Sequence, residues 1–306
     1  MSSAVKGVVV FGAGIAGKVR IRDTSHVSNE ECPWKLIGFV SRRKLDIDGV
    51  TQLTEDEVFQ RADVHAVIVC TEPSEHERII RKSLEHCKHV LVEFPVSTSA
   101  AVTKDLYTLA NQKGVVLHEE NIALLTPGFL SLKEQITEVK AKIVSGEISL
   151  SGSYNGWVED FNKSGGPFCV NISLIESLYE LIGEDIEVTN GKLDINDEGF
   201  TAQANLTSSK CSQLSLTVKR TKEKCKREKQ MKFILENGQV IEETPYKPPT
   251  TSSPQQNNKP GLFMQDFLLY MDEIQGIKPF TYETRRSIRC MELADNIHHL
   301  MGLSPN

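Results

Sequence analysis

The sequence predicts an α/β fold in two parts. A Rossmann-type domain on a parallel sheet occupies residues 1–123, and an α+β domain on a large, mostly antiparallel sheet occupies 124–306. Three observations predict it. Apolar runs alternate with helical patterns through residue 121. The first run breaks into glycines spaced G-x-G-x-x-G in "VVVFGAGIAGKVRIRD", Val8 to Asp23. Beyond about residue 150, closely spaced strands with polar faces replace the alternation.

Val5 to Phe11 is a short Val-rich run stopped by glycine, the pattern of a buried strand. A helix follows from Gly14 to about Ser25, and Trp34 to Arg42 is a second strand. Thr54, with Glu57 three residues on, makes a capping box that starts a helix. His65 to Thr71 is a third strand. "PSEHERIIRKSLEHC" is a helix with Pro73 in its first turn, and Lys88 to Pro95 is a fourth strand. "SAAVTKDLYTLANQKG" is a helix stopping at Gly114, and Val115 to Asn121 is a fifth strand. Such βαβ units make a parallel sheet, which binds ligands beyond the carboxyl ends of its strands.

Leu124 to Val144 reads as one long helix with Pro127 near its start. "EISLSGSYNGW", "EVTNGKLDIN", "FTAQANL", "CSQLSLTVKR" and "QMKFILENGQVIEE" read as strands, and "ISLIESLYELIG" as a helix ending at Gly183. The wide face of this sheet is expected to wall a cleft against the first domain. Lys219 to Gln230 reads as a solvated hairpin tip, or as a binder of carboxylates or phosphates. Pro245 to Gly261 is a Pro/Ser/Asn-rich loop, and two helices follow, over 262–275 and 284–301. Cys290, His298 and His299 share the last helix, but adjacent residues point about 100° apart. A surface or interface role is expected there, and no metal site.

The net charge is −6, which argues against a nucleic-acid partner. No apolar run reaches the roughly 18 residues of a membrane helix. The start "MSSAVKGVVVFG" lacks a signal-peptide layout, and the seven cysteines are scattered without a C-x-x-C pair. Together these lead us to expect a cytoplasmic protein with reduced thiols, monomeric or weakly oligomeric.

Glycines also mark ordinary turns. Here Gly12, Gly14 and Gly17 follow a strand and open a helix, the context of a dinucleotide fingerprint. Gly12 permits the turn, Gly14 lets the backbone approach a pyrophosphate, and Gly17 lets helix and strand pack closely. Ala13, Ile15 and Ala16 complete the loop, and the helix N-terminus faces the anion. NAD sites place an acidic residue at the end of the second strand. This chain has Ser41, Arg42 and Arg43. Two guanidiniums suit a 2′-phosphate, so NADPH is favoured, with NADH a second candidate. The plainer reading is a solvated basic strand end.

"CTEPSEHERII" and "KHVLVEFP", with the glycine loop, resemble the glucose-fructose oxidoreductase, inositol dehydrogenase and rhizopine-catabolism superfamily. In sugar-oxidising members a lysine of E-K-P assists proton transfer at a hydroxyl. Phe94 stands there in this chain and can carry no proton. The resemblance is denser to one branch, the vertebrate biliverdin reductases of the A type. It runs through "GAGIAGKVRIRD", "LIGFVSRRKLDIDGV", "KHVLVEFP" and "LANQKGVVLHEEN", is thin from about 150 to 260, and returns faintly in "RRSIRCMELADNIHHL". It implies hydride transfer to the C10 methine bridge of biliverdin, giving bilirubin in haem catabolism. Three positions depart from that branch. Phe94 replaces its tyrosine, Ala123 a glutamate, and Leu174 aligns loosely with an arginine associated with the pigment.

The resemblance and the strand ends together nominate Thr71, Pro73, Ser74, His76, Glu93 and Phe94 for the cofactor, and Glu93, Glu120 and His76 for catalysis. Glu93 either orients the cofactor, or helps deliver a proton if burial raises its pKa, or is a structural carboxylate hydrogen-bonded to backbone. Strand alternation lets only one of Glu119 and Glu120 face the cleft, and the resemblance carries Glu120. His76 either contacts the nicotinamide ribose or substrate, or lies on a helix surface. Two rival functions stay open: an oxidoreductase acting on a sugar or small carbonyl, and a catalytically weak NADP(H)-binding regulator.

Overall fold

The computed structural model describes residues 6–25, 34–47, 49–245, 260–277 and 281–303. They divide into two compact units, and the first holds residues 1–97, 101–120 and 260–284. Its strands are β1 (Lys6–Phe11), β2 (Trp34–Val40), β3 (Gln52–Leu53), β4 (Val64–Val69), β5 (His89–Val92) and β6 (Leu117–Glu119). Between them run α1 (Ile15–Ser25), α2 (Glu55–Gln60), α3 (His76–Glu85) and α4 (Ala100–Lys113). The order β3-β2-β1-β4-β5-β6 is wholly parallel. Val8, Val9 and Val10 have no solvent exposure, as expected of a strand covered on both faces.

The two-residue β3 carries too little pattern to be read from sequence. β2 stops at Val40, so Ser41, Arg42 and Arg43 lie in the turn beyond it. β6 is shorter than the expected 115–121. The capping box is present: Thr54 Oγ1 accepts from the Glu57 amide, and the Glu57 carboxylate accepts from the Thr54 amide.

The expected boundary at residue 123 is contiguous in sequence, whereas the compact unit is not. It takes in α9 (Leu262–Ile274) from the far end of the chain. Phe267, Tyr270 and Met271 of α9 are buried in the same core as Val8, Val10, Ile68 and Leu91. Each such side chain contributes about 1.5–3 kcal/mol by leaving water. Charge fixes the register of this docking. Arg20 of α1 donates through Nη2 to Asp266 Oδ2 at 2.7 Å and through Nη1 to the Phe263 carbonyl at 2.8 Å. His118 of β6 contacts Asp266 Oδ1 at 3.2 Å and Glu273 at 3.0 Å. Burial alone would push the His118 pKa down, but hydrogen bonds to the Asp266 and Glu273 carboxylates outweigh it and raise it to about 9.

The second unit holds residues 98–100, 121–259 and 285–306. Its strands are β7 (Ile143–Ser153), β8 (Glu187–Asn196), β9 (Gly199–Thr207), β10 (Gln213–Thr221), β11 (Glu228–Leu235) and β12 (Val240–Glu242). The sheet order is β12-β11-β7-β10-β9-β8, antiparallel except for the β7–β10 pair. Its helices are α5 (Ile122–Leu125), α6 (Pro127–Glu138), α7 (Phe161–Ser164), α8 (Ile172–Ile182) and α10 (Thr281–Leu300), the last beginning in the first unit.

Three expectations change here. The long helix 124–144 is two helices and the start of a strand. Thr126 is extended before Pro127 (φ −65°, ψ 139°), and its hydroxyl caps α6 by accepting from the Phe129 amide. The basic segment is exposed from Lys222 to Glu228 but is no hairpin tip. β7 lies between β10 and β11, so the loop crosses the end of β7. His298 is not at the surface: it is buried, and its Nε2 accepts from the Phe168 amide at 3.0 Å, while His299 is exposed. The stretch 245–261 falls almost wholly outside the described residues. Among the described residues no helix is long and apolar enough to cross a membrane.

A raised histidine pKa ties stability to pH. His118 stabilises the fold fully below its ordinary pKa of 6.5, and that contribution is lost as pH rises through about 9. Thermal melts of the wild type are expected to fall across this window. The variant His118→Gln should start lower and fall less.

Candidate functional site

The parallel strands end together. The Gly12 amide donates to Val40 O, Cys70 to Phe11 O, Glu93 to Val69 O and Glu120 to Val92 O. These bonds bring the segments 12–17, 41–43, 70–76, 93–96 and 119–120 to one edge of the sheet. The strand order reverses between β1 and β4 at this edge, which is where open parallel sheets bind ligands.

The glycine turn fits a dinucleotide. Gly12 has φ +91°, and a Cβ there would lie 2.4 Å from the Cys70 carbonyl oxygen. A Cβ on Gly17 would lie 2.0 Å from the Gly12 carbonyl oxygen, so Gly17 is required for packing. Around Gly14 a Cβ would meet nothing within 4 Å. Open space therefore lies where a pyrophosphate needs backbone approach. Ala13 is buried, Ala16 half-buried, and Ile15 is 91% exposed at the first turn of α1. The amides of that turn have no partner within the helix and offer an anion their N–H groups. Beside Gly12, the Thr71 hydroxyl oxygen is buried with no hydrogen-bond partner among the described residues. A buried hydroxyl left this way costs stability unless a ligand meets it.

Ser41 is half-buried, and Arg42 and Arg43 are exposed. Gln52 of β3 shapes their turn: its Nε2 donates to the carbonyls of Ser41 and Arg43, and its Oε1 accepts from the Leu45 amide. Arg42 Nη2 donates to Glu72 Oε1 at 2.7 Å. Pro73 is buried at the start of a short 3-10 turn, and Ser74 is exposed on it.

Glu93 and Phe94 are both half-buried, before the cis Phe94–Pro95 bond. Glu93 Oε1 accepts from Arg20 Nε at 2.9 Å, and the Glu93 side chain keeps 16% exposure. Burial pushes its carboxyl up, Arg20 opposes this, and the neighbouring Asp266 carboxylate adds to it; the net direction is upward. Glu119 and Glu120 are both buried. Glu119 Oε1 accepts from the Val96 amide at 3.0 Å, and Glu120 lies in the electrostatic field of Arg20.

His76 is buried, which removes the helix-surface reading. Its Nδ1 faces the Pro95 carbonyl at 2.7 Å and its Nε2 the Thr71 carbonyl at 3.1 Å. Burial lowers its pKa. The ring braces the loop after β4 against the loop after β5, which argues against proton delivery. In the second unit Ala123 is half-buried in α5, and Leu174 is 1% exposed in the buried heart of α8. Leu174 is a packing residue.

Over residues 6–121 the chain matches the oxidoreductase family with an NAD-binding Rossmann fold. It is 32% identical over 297 residues to biliverdin reductase A of Homo sapiens, covering 95% of this chain and 94% of that one. The chain belongs to the biliverdin reductase A family. It is an NAD(P)H-dependent oxidoreductase. Two solved structures share the fold. One is a biliverdin reductase from Synechocystis sp. PCC 6803, in complex with biliverdin and NADP+ (TM-score 0.78, 20% identity, 97% of this chain and 99% of that chain). The other is GenD2 from gentamicin A biosynthesis, in complex with NAD (TM-score 0.80, 17% identity, 99% and 95%).

Arg20, Gln52, Glu72 and Asp266 were missed as site residues. A signal existed for the two buried charges. Gly17, Arg20, Ile21 and Thr24 form the buried stripe of α1 at helical spacing, so Arg20 points inward. Asp266 lies on the buried stripe of α9 with Phe267 and Tyr270.

The glycines separate folding from binding. Gly17→Ala is expected to cost about 1–3 kcal/mol, read as a lower melting temperature. Gly14→Ala should melt like the wild type yet bind NADPH at least about tenfold more weakly by calorimetry, because its methyl enters the space left for the pyrophosphate.

Proposed function

We propose that this protein is a biliverdin reductase that uses NADPH to reduce the central methine bridge of biliverdin, giving bilirubin. The observation that carries the reading is the 32% identity to human biliverdin reductase A along nearly the whole of both chains. The bound coenzyme would supply a hydride. Gly12, Gly14, Gly17 and the first turn of α1 would hold its pyrophosphate, Thr71 Oγ1 would meet it nearby, and Arg42 and Arg43 would meet a 2′-phosphate. Phe94 supports the reading. A methine bridge needs no base to ionise an alcohol, and Phe94 offers none.

The reaction also needs a proton at a pyrrole nitrogen. Glu93 is the rim carboxyl that combines solvent exposure with an upward-shifted pKa. Arg20 fixes Oε1, so the proton would sit on Oε2. The sugar-oxidising alternative lacks its lysine. The regulatory alternative, which rests on the departures at Phe94, Ala123 and Leu174, predicts NADPH binding without turnover.

Purified protein given NADPH and biliverdin should produce bilirubin absorbance; tight NADPH binding without turnover would refute the proposal. Glu93→Gln should lower kcat by about 100-fold. In the wild type kcat should fall as pH rises through the Glu93 pKa, and the variant should lack that limb. Arg42→Ala with Arg43→Ala should weaken NADPH far more than NADH, whereas equal losses would count against a 2′-phosphate site. Phe94→Tyr should remain active.

A further inference from the structure

β8 is an edge of the second unit's sheet: among the described residues it pairs with β9 and with no other strand. It runs for 10 residues, whereas the opposite edge strand, β12, has 3. An edge of that length presents a row of unpaired N–H and C=O groups, which soluble proteins guard with proline, lysine, bulges or brevity. β8 contains no proline. Its bulge falls at one end, between Val188 and Asn190, so residues 190–196 run regularly up to the hairpin turn. Its lysine gives little protection, because Lys192 pairs with Asp194 at 2.8 Å and residues 190–196 carry no net charge.

The ladder fixes which backbone groups face outward. The Glu198 carbonyl accepts from the Lys222 amide, so even-numbered residues of β9 bond to β10 and odd-numbered ones to β8. Asn190, Lys192, Asp194 and Asn196 stand opposite those odd-numbered residues. The N–H and C=O groups of Gly191, Leu193 and Ile195 therefore point away from the sheet.

A second copy of this chain fits that edge. Antiparallel pairing about a two-fold axis through Leu193 sets Gly191 opposite the partner's Ile195 and Leu193 opposite the partner's Leu193, each pair exchanging both backbone bonds. On one face Lys192 then meets the partner's Asp194, and Asp194 the partner's Lys192. On the other face α10 ends close to Gly191, where a Cβ would lie 3.1 Å from Leu300 Cβ. Ile195 is 58% exposed and Leu300 49% exposed. The pairing brings the partner's Ile195 beside Gly191 and against Leu300, which removes both from water.

We propose that this protein forms a two-fold dimer through β8, edge to edge and antiparallel about Leu193. The bulge and the hairpin turn bound the shared ladder, so the interface is small and the association weak. The dimer does not rest on the proposed reaction.

Sedimentation velocity on the full chain tests it, under reducing conditions that exclude bridges through the exposed Cys87 and Cys225. A monomer–dimer equilibrium should shift with concentration across the micromolar range. Lys192→Asp places like charges across the two-fold and should weaken the dimer about tenfold, as should Asp194→Lys. The two changes combined restore opposite charges and should restore association. Leu193→Pro removes an outward amide and no bond within the sheet, so it should abolish the dimer and keep the monomer's circular dichroism. The charge variants alter exposed side chains and decide the matter alone if the proline variant misfolds. Wild type that stays monomeric at every concentration overturns the proposal. So does a dimer that the single charge changes leave intact, or one that the combined reversal fails to restore.

Discussion

A single guanidinium organises the first unit. Arg20 projects from the helix that follows the glycine turn and meets carboxylates from two distant parts of the chain, Glu93 and Asp266. Its aliphatic and planar parts are covered too, with the Phe263 ring 4.7 Å away. Removing one partner of such a buried pair costs about 3–5 kcal/mol, because the other charge stays buried. The contact therefore holds together the helix after the glycine turn, the end of β5 and α9. This explains why a helix more than 240 residues away in sequence packs in the unit of the glycine loop.

What was legible in the sequence was local. Gly12 and Gly17 are dictated by backbone conformation and by a carbonyl at van der Waals range, so their spacing speaks directly. Thr54 and Glu57 act within one helical turn. Thr126 before Pro127 was equally local, and reading the residue before proline as extended would have divided the long helix correctly. The membership of α9, the crossing of β7 by the basic loop and the burial of His76 and His298 depend on pairings across long stretches of chain. Hydrophobic patterning does not record them.

Charges inside the stripes proved more informative than apolar residues. Arg20, Asp266 and Glu273 occupy buried helix positions where a hydrophobic side chain would pack without penalty. Burying them unpaired would be prohibitive, so each implies a partner. Leu174, by contrast, lies in apolar packing and asks for nothing.

The charge balance of the first unit bears on proton supply. Below about pH 9 His118 is positive, and with Arg20 it faces Asp266, Glu273 and Glu93, so carboxylates outnumber cations. A low-dielectric interior resists surplus negative charge, and the resistance is relieved by retaining a proton. Asp266 and Glu273 are sealed and satisfied by His118. Glu93 alone of the three keeps exposure, so it can both hold the extra proton and exchange it with the outside. The surplus carboxylate thus stands at the rim with its compensating cations behind it, the arrangement that the proposed proton-donor role of Glu93 requires.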